Sequence, residues 1–128
     1  MARSRQKKPR RKSPENTEVS GFSFEDTDYR GRRVYLPPGR WEWKILQPHP
    51  DLAGHEEWVR TTATDPDLVA FEEDVEDIEI HASYYDISEA KKYLWVPMKY
   101  TIEGGKVITA YWVSDIRTTV ARVVWRKK

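Results

Sequence analysis

The chain has 128 residues, and its 22 Lys and Arg side chains nearly balance its 21 Asp and Glu side chains, so the formal net charge is +1. This length predicts one domain, and no apolar run reaches the roughly 18 residues that a membrane-spanning helix needs. The charged N-terminus argues against a secretory signal peptide, and the lack of cysteine excludes disulfides, thiolate metal sites and cysteine nucleophiles. We therefore expect an intracellular protein.

The charge is strongly segregated along the chain. Residues 1–28 have few large apolar side chains, so they cannot bury enough surface to offset their ordering entropy. We predict that they form a disordered basic arm with an acidic linker, followed by a single domain over residues 29–128. The arm carries seven cations and no carboxylate in its first twelve residues: Arg3, Arg5, Lys7, Lys8, Arg10, Arg11 and Lys12.

Short strands are predicted for the first part of the domain. Residues 33–36 and 40–46 have the period of two that is typical of half-buried strands. Residues 55–62 are predicted to form a third strand because they are rich in threonine and aromatic residues. In the second of these strands, Trp41 and Trp43 would share one face.

Two helices are predicted in the middle of the chain. Asp65 and Pro66 form a favourable helix start for residues 66–77, whose apolar side chains recur every three or four positions and predict a helix of about three turns. A capping box over 86–89 predicts a short second helix over 87–93.

The C-terminal third is predicted to be a meander. Alternating segments over 98–102 and 107–113 flank a Gly-Gly pair, which is a strong hairpin signal, and residues 118–125 form a further strand. Pro97 predicts an edge or a bulge just before the hairpin. The expected fold is α+β: a small antiparallel, meander-rich sheet with one helix of about three turns and a short second helix, preceded by the disordered basic arm.

The basic arm predicts association with nucleic acid. Such a run binds phosphate backbones by releasing counterions, without sequence preference and with strong salt dependence, and it is typical of a nuclear localisation signal if the host is eukaryotic. We expect a non-enzymatic structural or accessory protein of a nucleoprotein particle, viral, phage, chromatin or ribosome-associated, that needs no cofactor or metal. Its sheet domain would bind a protein or a second copy of the chain. Four arginines are expected to extend the phosphate path: Arg30, Arg32, Arg33 and Arg40.

Two alternatives remain open at this point. The first is a protein–protein inhibitor or adaptor, including one that mimics nucleic acid, which would act through the acidic helix and exposed aromatic rings. Its interface residues would be Trp41, Trp43, Glu72, Glu73 and Glu76. The second is a metal-dependent nuclease, because Asp67 and Glu79-Ile80-His81 partly match a Pro-Asp…Glu-x-Lys pattern. In that pattern His81 stands where lysine is needed, so we regard this alternative as unfavourable.

One short segment has a family resemblance. Residues 100–115 are similar to the terminal hairpin of NTF2-like domains, which often carry a Gly-Lys turn followed by an aromatic-rich strand. The long N-terminal helices of that family have no counterpart here, since residues 29–64 are predicted to be strands. The resemblance is therefore confined to about sixteen residues.

Overall fold

The computed structural model describes residues 21–72, 75–87, 90–114 and 121–127. Residues 1–20 of the predicted arm and linker (1–28) thus lie outside the described residues, whereas the end of this segment, residues 24–27, forms a strand of the sheet. The strands are β1 (Phe24–Thr27), β2 (Arg33–Leu36), β3 (Leu68–Glu72), β4 (Val75–Ile87), β5 (Ala90–Thr101), β6 (Gly104–Val107), β7 (Tyr111–Val113) and β8 (Ala121–Arg126). The helical elements are a π-helix (Trp41–Leu46), a 3₁₀ turn (Pro50–Leu52) and the α-helix α1 (Glu56–Thr64).

All eight strands belong to one sheet with the order β1-β2-β6-β5-β4-β3-β8, and β7 also pairs with β5. The pairs are antiparallel except β2 with β6. This confirms the predicted α+β class with a mostly antiparallel sheet and short helices. Within the described residues, no helix has the length and apolarity needed to cross a membrane.

The main core lies between the helical elements and one face of the sheet, which we call the helical face. Alternate residues of β2 and β5 point to this face and meet the apolar sides of the π-helix and α1. Its buried members include Val34, Leu36, Trp41, Ile45, Leu52, Val59, Ala63, Leu94, Val96, Met98 and Val107. The opposite side, the outer face, carries a second apolar cluster of Leu68, Ala70, Ile80, Ala82 and Trp95.

The prediction of strands over 40–46 and 55–62 is wrong, because both segments are helical. Gly39 has a φ of 85°, and it ends the preceding turn in a conformation that only glycine adopts easily. In the π-helix the buried residues are Trp41 and Ile45, four positions apart. The same seven residues show both patterns: alternation, which is typical of a strand, and apolar residues four positions apart, which is typical of a helix. A segment this short does not decide between the two structures.

The helix predicted over 66–77 is also wrong, because β3 and the start of β4 occupy that segment. Strand β3 lies between β4 and β8, and it buries Leu68 and Ala70 on the outer face and Val69 on the helical face. A strand that is buried on both faces loses its alternation and resembles a helix segment. The short helix predicted over 87–93 is wrong as well, since the described part of that segment belongs to β4 and β5.

The hairpin of β5 and β6 confirms the Gly-Gly prediction, with Thr101 opposite Gly104. The strand predicted over 107–113 is divided, since β6 ends at Val107 and β7 begins at Tyr111. Pro97 lies at this division, where its carbonyl oxygen accepts a 2.9 Å bond from the Ile108 N–H. The Pro97 nitrogen, which carries no hydrogen, therefore faces the gap between β6 and β7. No hydrogen bond of the sheet is lost there.

Candidate functional site

A network of charged and aromatic side chains begins at the turn between β1 and β2. Asp28 is buried, and its Oδ1 accepts hydrogen bonds from the backbone N–H groups of Arg30 and Arg32, both at 2.9 Å. Gly31, with a φ of 82°, lets the chain close this turn. The turn thereby aims the Arg32 side chain across the helical face of the sheet.

Arg32 links two carboxylates that are distant in sequence. Its Nε donates to Asp28 Oδ2 at 2.9 Å, while its terminal nitrogens donate to both oxygens of Glu79 at 2.7 and 3.3 Å. The planar guanidinium matches this forked geometry, which a lysine ammonium does not reproduce. Arg32 thus joins the β1–β2 turn to strand β4 in the middle of the sheet.

His81 completes the network by contacting Glu79. Its side chain is fully buried, its Nδ1 lies 2.8 Å from the Ala63 carbonyl oxygen and its Nε2 lies 2.8 Å from Glu79 Oε1. A carbonyl oxygen only accepts, so Nδ1 is the nitrogen that carries a hydrogen in the contact with Ala63. The geometry therefore places the His81 ring between the end of α1 and the Glu79 carboxylate, in hydrogen-bond contact with both.

Tyr100 holds the other side of the network. Its hydroxyl donates to Asp28 Oδ2 at 2.5 Å, and the Arg32 guanidinium carbon lies 3.8 Å from the centroid of its ring. Burial, followed by the hydrogen bond to Asp28, raises the pKa of Tyr100, so the phenol stays neutral and remains a donor. The contact with Arg32 adds a cation–π attraction.

The carboxylates of the network are ionised despite their burial. Desolvation of Glu79 opposes its charge, but hydrogen bonds from His81 and Arg32 outweigh it and lower the pKa of Glu79 to about 2. Burial also opposes the charge of Asp28, and bonds from Tyr100 and the turn backbone still lower its pKa. Because nearly every polar atom is already bonded, the network fixes the fold here and offers little reactive capacity.

An open cleft of about 470 Å³ adjoins Glu79 on the helical face. Its mouth carries the exposed side chain of Arg30, and the rings of Tyr29 and Trp125 lie against each other at a centroid distance of 4.5 Å. The remaining lining residues are Val69, Phe71 and Val124.

Gly105 is required for the position of Tyr100. A Cβ built on Gly105 would lie 2.5 Å from Tyr100 Cε2 and 2.6 Å from Cζ, although Gly105 itself has an ordinary φ. We expect Gly105→Ala to cost about 2 kcal/mol of unfolding free energy, because the ring must leave Asp28 and Arg32. Chemical denaturation measures this cost. If Gly105→Ala costs much less unfolding free energy when Tyr100 is already alanine, the clash with the Tyr100 ring is the cause. Equal costs with and without the ring would contradict that explanation.

A second aromatic cluster lies near the start of α1. The rings of His55 and Trp58 stack at 4.2 Å, and Trp58 stacks on Tyr85 at 4.3 Å. Trp112 meets this stack edge-on. These four rings pack against one another at the rim of the main core, which accounts for their position.

The predicted nucleic-acid residues do not form one continuous path in the described structure. Arg32 is committed to the network. The Nε of Arg33 donates to Glu25 at 2.7 Å, and the Nε of Arg40 donates to the Ile108 carbonyl oxygen at 3.1 Å. The arm residues Arg3 to Lys12 lie outside the described residues.

The predicted interface residues are also dispersed. Trp41 is fully buried, while Trp43 is 55% exposed, so the π-helix separates two rings that a strand would have kept together. Glu72 and Glu76 belong to β3 and β4 and not to an acidic helix, and Glu73 lies outside the described residues.

The structure does not assemble the nuclease-like motif. Asp67 precedes β3, and its Oδ2 accepts a 2.9 Å bond from the backbone N–H of Tyr84. Glu79 lies opposite Phe71, so positions 67 and 79 are four residues apart along the strands, roughly 13 Å between backbones. Among the described residues, no group of three or more His, Cys, Asp or Glu side chains could hold a metal ion.

Asp28, Tyr100 and the pairing of Glu79 with His81 were not predicted as a unit. The polar residues 79 and 81 share one face by alternation, and this was the only local signal. Their partners come from a distant turn and a distant strand, which one sequence does not identify.

No family model, no curated protein and no solved structure matches the chain. The likeness of residues 100–115 to NTF2-like domains therefore receives no support from a structural match.

Proposed function

We propose that this protein is a non-enzymatic accessory or structural protein that associates with nucleic acid through its basic arm. The observation that carries the proposal is the presence of seven Lys and Arg residues, and no carboxylate, within residues 1–12. Each phosphate contact releases condensed counterions, so such an arm binds polyanions without reading their sequence. The folded domain would link the bound nucleic acid to a protein partner or a second copy, inside the cell and in the nucleus of a eukaryotic host.

The described part of the chain contributes to this proposal in two ways. The Asp28–Arg32–Glu79–His81 network has its polar atoms satisfied internally, which suits a rigid carrier of the arm better than a reactive centre. Trp43, exposed on the π-helix, is the described aromatic residue best placed for a protein partner.

Replacing all seven arm cations by glutamine tests the proposal. For the unchanged full-length protein on duplex DNA, we expect log K to fall with log salt with a slope of about −6, since each of up to seven contacts contributes roughly −0.9. We expect the substituted protein to lose at least tenfold in affinity at 100 mM salt and most of this slope. Fluorescence anisotropy over a salt series measures both.

A scrambled arm with the same composition is the matched control, and it should bind as the unchanged arm does. If the glutamine arm binds as tightly and with the same slope as the unchanged arm, the proposed function is wrong.

A further inference from the structure

Three neighbouring strands place basic side chains side by side on the outer face. Lys99 in β5 lies directly opposite Lys106 in β6, and Lys106 lies opposite Tyr35 in β2. Their chain neighbours Met98 and Val107 belong to the main core, so the two lysines point to the other side of the sheet. We call the surface formed by Arg33, Tyr35, Lys99 and Lys106 the basic face.

Two like charges directly opposite each other destabilise a sheet. Among the described residues, no carboxylate forms an ion pair with Lys99 or Lys106. The carboxylates nearby act on Arg33 instead: Glu25 accepts its Nε–H at 2.7 Å, and the charge of Glu103 also raises the pKa of Arg33. The lysine pair thus lacks a compensating charge in the described structure, and an external polyanion would supply one.

An aromatic residue adjoins this pair. The guanidinium carbon of Arg33 lies 4.3 Å from the centroid of the Tyr35 ring, and the Arg33 side chain is about half exposed. A guanidinium plane over a tyrosine ring is a surface on which an unpaired base can stack. One row across three strands therefore holds two lysines followed by Tyr35, with Arg33 over the Tyr35 ring.

We propose that the basic face binds a single-stranded nucleic acid, with Lys99 and Lys106 contacting phosphates and the Arg33–Tyr35 stack contacting a base. The basic face is a sheet surface, which presents no helix or ribbon for a duplex groove but can support splayed bases. This inference rests on the proposed function and deepens it: the arm supplies long-range attraction, and the basic face supplies a fixed contact on the folded domain.

The test uses the full-length protein and a fluorescein-labelled 20-nucleotide single strand. The face variant carries Lys99→Gln and Lys106→Gln, and the matched control carries Lys44→Gln and Arg126→Gln, which remove the same charge from exposed sites elsewhere. We expect the face variant to bind at least fivefold more weakly than the control at 100 mM salt. Its salt slope should shrink by about 1.4, because each lost contact to a single strand removes about 0.7. Both pairs are repeated with the glutamine arm.

The outcomes separate this inference from the proposed function. Loss in the face variant with either arm supports the basic face. If the face variant binds the oligonucleotide as tightly as its control does, the inference about the basic face is wrong. If the glutamine arm weakens binding in that same experiment, the proposed function still holds. Vesicles containing about 30% phosphatidylserine provide a second probe. If the face variant loses vesicle binding but keeps oligonucleotide binding, the ligand is an anionic lipid surface and this inference is wrong.

Discussion

Glu79→Gln should lower the free energy of unfolding by about 3 kcal/mol. The Glu79 side chain is 10% exposed, and its carboxylate accepts hydrogen bonds from both Arg32 and His81. A glutamine keeps the shape, but its NH₂ group cannot accept a hydrogen bond from the donor that it faces, and the substitution removes the negative charge that pairs with Arg32. Breaking a buried charge pair from one side typically costs about 3–5 kcal/mol. Guanidinium denaturation of the full-length variant measures the loss.

The same variant should also be less sensitive to acid. The pKa of Glu79 is lowered from about 4.5 to about 2, so its ionised form stabilises the folded state. That contribution is complete above pH 4.5 and disappears as the pH falls towards 2. The unfolding free energy of Glu79→Gln should therefore fall less steeply over this interval than that of the unchanged protein.

Glu25→Gln is the matched control for both measurements. Glu25 also pairs with an arginine at 2.7 Å, but the two side chains of that pair are 45% and 64% exposed. Such a surface pair contributes little to stability, since water screens it. If Glu79→Gln costs no more than Glu25→Gln, the buried network does not stabilise the fold as described.

Local signals were sufficient where an element is defined by its own residues. The Gly-Gly pair defines the β5–β6 hairpin, and the alternation of Arg33–Leu36 defines β2, because turn chemistry and a one-sided core act within a few residues. β3 shows the opposite case. Its neighbours β4 and β8 bury it from both sides, and the resulting apolar run lacks the period that would have marked a strand.

The network could not be predicted because its parts are distant in sequence. Arg32 is 47 positions from Glu79, and Asp28 is 72 positions from Tyr100. Only the sheet order brings them together, and that order includes the parallel β2–β6 pair, for which no local signal exists. The charge pattern of the arm depends on no tertiary structure, so it is the feature from which the sequence alone predicts a function.

Trp41→Ala should cost about 4 kcal/mol, whereas Trp43→Ala should cost less than about 0.5 kcal/mol. Trp41 is fully buried in the main core, with its ring 5.2 Å from that of Phe22, and removing it leaves a large cavity. Trp43 is 55% exposed, so its removal opens no cavity. Chemical denaturation of both variants measures the difference.

This comparison decides between the two conformations that the local sequence permits. A strand over residues 40–46 would place both tryptophans on one face and give them similar costs, while the π-helix separates them. A difference of several kcal/mol therefore supports the helical form, and nearly equal costs would contradict it. The result also bears on binding, since only a ring that is dispensable for stability is available to a protein partner. If Trp43→Ala folds normally, its effect on partner binding can be interpreted without a correction for stability.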